Sequence, residues 1–432
     1  MKTYCKHVIL NIILFGMCSA VFPQRANETT LRLTLKEAQD YAMQHNKTVW
    51  NAGLSVSEAQ KKTWETISAG LPQVSATVSY QNMMGFNMSF AGLNISMPPT
   101  SNFQATVTQL LFNGSYWVGI KMSKMGEEMT ETARLQAELD VKQQTQSAYQ
   151  TILIIEENMK LLEQNLKNIQ ALAQKTEDMV RIGVAEQTDA DRMKLQVTTM
   201  MNAIKSVERN TELAYNLLRF QLGVDTDTEI ILTQSLDNMM SAKDAQETLA
   251  SDFDPDTNFT VQLMNQQIGL ADMNISLAKS ASLPTVAAFY SYTYKIAKST
   301  FDMSPNNVIG LQANIPIFAS GQRYVKTQQA KINLEKAQNN RDLVTDQLLM
   351  QEKQLRFNLK NAIETLELQK EAIDVSQRVF DSVTRKFQQG TASSLDVTTA
   401  STNLLQAQTS YTNAMMEVFS AQTALEKLLN TL

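Results

Sequence analysis

Cysteine, histidine and carboxylate side chains are what this 432-residue chain could use for chemistry, and it has 2 Cys, 2 His and 43 Asp+Glu. Thiol nucleophiles, zinc centres and disulfide frameworks need Cys or Cys/His sets, and imidazole acid-base work needs a placed His. Cys5, Cys18 and His7 all fall near the start, around an apolar run from Val8 to Phe15 that Lys2 and Lys6 precede and Ser19-Ala20 follow. Basic, then apolar, then small is the order of a secretory signal peptide, with cleavage expected after Ala20. The mature chain then keeps no cysteine and one histidine, His45, which lies in an ordinary amphipathic helical pattern. Thiol chemistry, a Cys/His metal site and a hydrolase with a nucleophile beside its base are therefore not expected, and neither a metal nor a cofactor is implied.

Carboxylates remain. Without Lys2 and Lys6 the chain has 36 bases against its 43 acids, so no basic patch points to nucleic acid. Two acids stand out by spacing. Asp189 and Asp396 each follow a glycine, Gly183 or Gly390, by six residues, and lie 207 apart. An acid in the first turn of a helix interacts favourably with the helix dipole, which is the plainest role for either.

That pairing belongs to a duplication of the whole chain. Ser68-Ala69-Gly70-Leu71-Pro72-Gln73-Val74 recurs as Ser280-Ala281-Ser282-Leu283-Pro284-Thr285-Val286, and Gln109 to Phe112 is answered by Ile315 to Phe318. From there the shift settles at 207, pairing Leu218 with Leu425 and Leu222 with Leu429. Residues 21–222 and 256–432 are read as two structural repeats after a signal peptide at 1–20, with 223–255 as the linker around the waist. Neither Pro nor Gly occurs between Gly126 and Gly183, or between Gly321 and Gly390. Long helices are expected over 115–182 and 321–389, each about 100 Å at 1.5 Å per residue. Leu359, Leu366, Ile373, Phe380 and Phe387 repeat every seven residues beside Leu348, Leu355, Ala362 and Val383. The shift maps the first row onto Ile152, Met159, Leu166, Ala173 and Val180, so both halves carry coiled-coil heptads. Each long helix ends at a glycine turn, and a second helix follows over 188–222 or 394–430, with Thr188 or Ser394 as its expected start.

Strands are expected at the other end, in hairpins at 72–112 and 284–318. Val74, Ala76, Val78 and Tyr80 alternate with polar residues, as do Phe103, Ala105 and Val107; Val286, Ala288, Tyr290, Tyr292 and Tyr294 share one face, and Ile309, Leu311, Ala313, Ile315 and Ile317 line one face of the partner. Such alternation suits a membrane-spanning barrel strand or a half-buried soluble sheet. No apolar run after the leader approaches the length of a membrane helix. Four strands cannot close a barrel, since about eight are needed, and an open edge in lipid leaves backbone groups unsatisfied. The chain should oligomerise, with two copies giving eight strands and three giving twelve.

Leu33-Thr34-Leu35-Lys36-Glu37-Ala38, the duplicated Leu-Pro before a strand, the Phe after it, and the Gly turn six residues before an Asp resemble the TolC-like outer-membrane efflux factors. The resemblance runs from about Leu31 to Leu429. It implies an α+β fold in which long coiled-coil helical hairpins form an α-barrel in the periplasm and four transmembrane β-strands per chain close a 12-stranded β-barrel in a homotrimer. Such proteins are passive exit ducts, not enzymes, in tripartite efflux or type I secretion systems, and dock with a periplasmic adaptor and an inner-membrane pump. The docking turns would be Gly183-Val184 and Gly390-Thr391. Asp396 would form the entrance ring that selects cations, with Thr399 where a second acid would stand. Asp189 matches an acid that in some relatives latches the entrance through a tyrosine and an arginine; Phe387 and Ala392 stand at those positions, and neither offers that donor. A resting state held mainly by packing is expected, with Phe387 constricting the tip. The alternative is an exported structural coiled-coil protein whose strands form a soluble cap, which would tolerate Lys or Glu on the outer faces of the strands.

Overall fold

The computed structural model describes residues 30–84, 87–90, 93–96, 98–239, 242–297 and 304–432. The expected leader at 1–20, with Cys5, His7 and Cys18, lies outside them.

A short strand, β1 (Thr30–Leu33), leads into α1 (Leu35–His45) and α2 (Lys47–Ser68). Thr34 and Glu37 start α1 as a reciprocal capping box, Glu37 Oε2 accepting from the Thr34 amide at 2.8 Å. His45 ends that helix with its ring stacked on Tyr41, centroids 4.0 Å apart. Strands β2 (Gln73–Gln81) and β5 (Thr100–Asn113) flank a small extra hairpin, β3 (Asn87–Phe90) with β4 (Leu93–Ser96). Then come the 68-residue α3 (Gly114–Arg181) and α4 (Gln187–Leu222). The connecting segment holds β6 (Glu229–Leu232), α5 (Leu236–Met239), α6 (Ala242–Ala250) and a 3-10 turn at Pro255–Thr257. The second half repeats the order with α7 (Phe259–Ser280), β7 (Thr285–Ala297), β8 (Asn307–Asn314), the 67-residue α8 (Gln322–Gln388) and α9 (Ser394–Leu429).

The main sheet has the antiparallel order β2-β5-β7-β8, so the two hairpins join through β5 and β7. Register puts Val78 opposite Phe103, Phe103 opposite Tyr294, Val107 opposite Tyr290, and Tyr290 opposite Ile309. One face is therefore mainly apolar and carries no charged residue, with Ile309 84% exposed and Leu311 74% exposed. The other face is mostly polar, with Phe289 over Gly310 as its main apolar contact. Gln104 Nε2 donates to Ser291 Oγ at 2.7 Å, and the Thr106 and Ser291 hydroxyls are 3.2 Å apart. β8 ends at Asn314, earlier than the alternation suggests: Ile315 and Ile317 lie beyond the ladder, where Pro316 has no amide to donate.

Below the sheet the helices stand in rows of four. The contacts run α2 to α3, α3 to α7 and α7 to α8 in the upper row, and α4 to α3, α3 to α9 and α9 to α8 in the lower. The heptads supply the seams: Ile152, Leu162, Ile169, Leu359, Ala362 and Phe380 are buried within the single chain. At mid-height a core gathers around Tyr149, Ile152, Leu218 and Leu222. There β1 and β6 pair in parallel, and the Tyr149 hydroxyl donates to Leu33 O at 3.0 Å. Arg356 ties the connecting segment to α8 by donating to the Leu249 and Ser251 carbonyls. Among the described residues no helix is long and apolar enough to cross a membrane.

Candidate functional site at the hairpin tips

Both hairpin turns are closed by the same backbone device. At the first, Gly183 has φ +78, its amide donates to Val180 O at 3.0 Å, and the Val184 amide reaches Met179 O at 2.8 Å. At the second, Gly390 has φ +75, its amide donates to Phe387 O at 3.0 Å, and the Thr391 amide reaches Lys386 O at 2.9 Å. These are Schellman closures, whose left-handed residue favours glycine because a Cβ is strained there. They leave Ile182, Val184 and Leu395 exposed at the end of the molecule.

The second helix starts at Ser394 as expected, with Ser393 as its N-cap, and the first starts one residue before Thr188, at Gln187, with Glu186 as its N-cap. Asp396 accepts from the Ser393 amide and hydroxyl, each at 2.8 Å, while the Ser393 hydroxyl accepts from the Asp396 amide at 3.2 Å. The Ser393 amide first, and its hydroxyl second, hold the Asp396 carboxyl below the usual aspartate range. The group stays exposed and ionised, with Thr399 also exposed one turn on.

Asp189 is engaged differently. Its Oδ2 accepts the Glu186 amide at 3.4 Å, and its Oδ1 accepts the hydroxyl of Ser394 from the other hairpin. Arg192 donates to the same hydroxyl at 3.3 Å. Ser394 is 1% exposed, while Asp189 is half-buried and Arg192 is exposed, so the relay joins the tips through a buried hydroxyl at the edge of solvent. Residue spacing carries no sign of it, since partners 205 residues apart meet only through the packing of α4 on α9. Two further buried bonds continue above it: Gln196 Nε2 to Ser401 Oγ at 3.0 Å, and Asn165 Nδ2 to Gln408 Oε1 at 2.7 Å. Ser394, Ser401 and Gln408 fall at heptad spacing on α9, a polar row that is legible in the sequence once its register is fixed. Phe387 does not project from the tip. It is 6% exposed, packed in an apolar cluster with Ile169, Leu172, Met193, Phe380 and Val397, so within the single chain it fills a seam. Within one chain the two tips therefore meet through apolar packing and through this hydrogen-bond relay. No group of His, Cys, Asp and Glu among the described residues could hold a metal ion.

Comparison with known proteins places this architecture. The family described as Outer membrane efflux protein matches residues 38–224 and 256–431. The chain is 20% identical over 395 residues to the outer membrane protein TolC of Vibrio cholerae serotype O1, covering 88% of this chain and 87% of that protein. Among solved structures, the outer membrane protein VceC from Vibrio cholerae aligns with a TM-score of 0.70 at 15% identity, over 91% of this chain and 95% of that one. The MtrE outer membrane channel of Neisseria gonorrhoeae, solved in its open state, aligns with a TM-score of 0.68 at 17% identity, over 91% of this chain and 88% of that one. At such identities the structural likeness speaks for the fold, and the family match speaks for the rest. The chain belongs to the outer membrane efflux protein family: it is a channel protein of the outer membrane with a helical extension into the periplasm, and not an enzyme.

Proposed function

We propose that three copies close head to tail into one exit duct, a twelve-stranded barrel in lipid continued by a tube of helices, which receives cargo through a periplasmic adaptor from an inner-membrane pump. The observation that carries this is the open sheet: among the described residues β2 and β8 have no outer partner, and the sheet's apolar face is bare. The helices repeat the pattern. Along α8 the exposed residues Val325, Ile332, Leu343, Met350, Phe357 and Leu368 recur at intervals of 7 or 11, a straight stripe on a helix of 3.6 residues per turn. The opposite flank exposes Leu54 on α2 and Leu213, Leu217 and Phe220 on α4. Unlike flanks that meet make a heterologous contact, which closes into a ring when the rotation between copies divides a full turn.

At the tips, Gly183, Val184, Gly390 and Thr391 present the docking turns to the adaptor, with exposed Ile182 and Leu395 as apolar contacts. Asp396, exposed and ionised, supplies one carboxylate per copy to a ring at the entrance that favours cations. Asp189 acts through Ser394 to hold the two hairpins of each copy together in the resting state. Cysteines placed at Thr77 on β2 and Gln312 on β8, joined by a short thiol cross-linker, should give dimer and trimer bands and nothing larger, with neither single variant passing dimer. A ladder continuing past three, or monomer alone, would rule out the closed ring of three.

A further inference from the structure

The junction between sheet and helices carries a charge pattern unlike that of the rest of this acidic chain. Residues 66–126 contain no Asp or Glu, and from 273 to 334 the only one is Asp302, in the connection between β7 and β8. Bases are present at all but one of the four sheet–helix junctions: Lys121 and Lys124 early in α3, Lys279 at the end of α7, and Arg323, Lys326 and Lys331 early in α8.

Position sorts them further. Trp117, Lys121 and Lys124 stand at i, i+4 and i+7, hence on one face of α3, and all three are exposed, Trp117 by 60%. The flanks of α3 are occupied by other contacts: the Tyr116 hydroxyl donates to Ile67 O at 2.8 Å on the α2 side, and the Ser115 and Ser280 hydroxyls meet at 2.9 Å on the α7 side. The 207 shift carries Trp117 onto Tyr324 and Lys124 onto Lys331, so the second half repeats an aromatic followed seven residues later by a lysine. Both are exposed, Tyr324 by 69%. Just above, the apolar face of the sheet runs down to exposed Phe112, Ile317 and Phe318.

This is the order of a membrane boundary. Tyr and Trp settle at the edge of the hydrocarbon, and lysines beyond it extend their charge into the headgroups. Seven helical residues span about 10 Å, which brings Lys121 and Lys124 through a headgroup layer of about 5–8 Å per leaflet. An aromatic belt alone would need no lysines, whereas here each aromatic is followed seven residues later by a lysine in both halves. We propose that Trp117, Lys121, Lys124, Tyr324 and Lys331 form a collar that binds the phosphate headgroups of anionic glycerophospholipids in the periplasmic leaflet. The collar rests on the closed-duct reading, which presents its copies around one ring, and it adds a lipid ligand to that reading. Each lysine near an anionic surface is worth on the order of a fivefold preference.

The test uses the full chain with Trp50 and Trp64 replaced by Phe, so that Trp117 alone fluoresces, reconstituted into phosphatidylcholine vesicles. A fixed fraction of either brominated phosphatidylcholine or brominated phosphatidylglycerol is included, and channel conductance is recorded on the same preparation. Brominated phosphatidylglycerol should quench Trp117 at least threefold more strongly, and high salt should shrink that ratio. The variant Lys121→Gln/Lys124→Gln/Lys331→Gln should bring it close to one while Trp117 stays quenched. Equal quenching by the two lipids in the unsubstituted collar would overturn the proposal even if the variant misfolds. Absence of quenching by either lipid in a conducting preparation would place Trp117 inside the duct and likewise overturn it. A preparation that neither inserts nor conducts would overturn the duct and the collar together.

Discussion

Asp396 accepts two hydrogen bonds from Ser393 and is fully open to water, so its charge is both a helix cap and available to the entrance. Because its folded-state pKa lies below the unfolded one, the cap's contribution is present above the ordinary aspartate range and fades as pH falls through the depressed value. The cation preference of the reconstituted channel should therefore hold steady from pH 7 to pH 5, as read from reversal potentials in a salt gradient. Asp396→Ala should abolish most of that preference at both pH values, and an unaltered reversal potential would remove Asp396 from the conducting path. Ser394 makes a different prediction. A hydrogen bond to a carboxylate is worth about 1.5–3 kcal/mol, so Ser394→Ala should shift the closed-to-open balance by roughly 10- to 100-fold and raise mean conductance, whereas Ser394→Thr retains the donor. If alanine leaves the conductance unmoved, the relay from Arg192 through Ser394 to Asp189 does not hold the entrance. Neither Asp189's partner nor the inward turn of Phe387 could be read from residue spacing, because both depend on how one hairpin lies against the other.

The elements themselves were largely written in the sequence. The heptads from Ile152 to Val180 and from Leu359 to Phe387 mark helices whose seams are buried, and the alternation around Tyr290 and Ile309 gives the lipid-facing side of the sheet. Ends were harder. Alternation continues through Ile315 and Ile317 although pairing stops at Asn314, since side-chain pattern does not register the missing amide of Pro316. The helix after the first turn begins at Gln187, one residue before the hydroxyl of Thr188, while its counterpart begins at Ser394 itself. The hairpin of β3 and β4 had no comparable signal, being two strands of four residues each. Between the hairpins, the buried pair of Asn165 and Gln408 gives an element-scale test. Asn165→Ala strands the Gln408 carbonyl and should cost about 1–3 kcal/mol, seen as a lower thermal midpoint in detergent. Asn165→Leu with Gln408→Leu should recover much of that loss, because removing both partners leaves no orphan. Equal destabilisation by the single and double changes would show that the pair does more than satisfy itself.

At the scale of the molecule, one chain is a strip: a four-stranded sheet above rows of four helices, with an apolar flank on either side and, among the described residues, no partner for the sheet's edges. The sequence alone showed that such a strip must associate, because open strand edges are not tolerated in lipid. It did not choose the number of copies, which depends on curvature accumulated across packed elements rather than on any local pattern. The most direct measurement is the mass of the purified full chain in detergent, by light scattering corrected for bound detergent. Three chains per particle, in particles that also conduct ions across planar bilayers, is the expected result. A single chain per particle, remaining in solution without detergent, would contradict the closed duct.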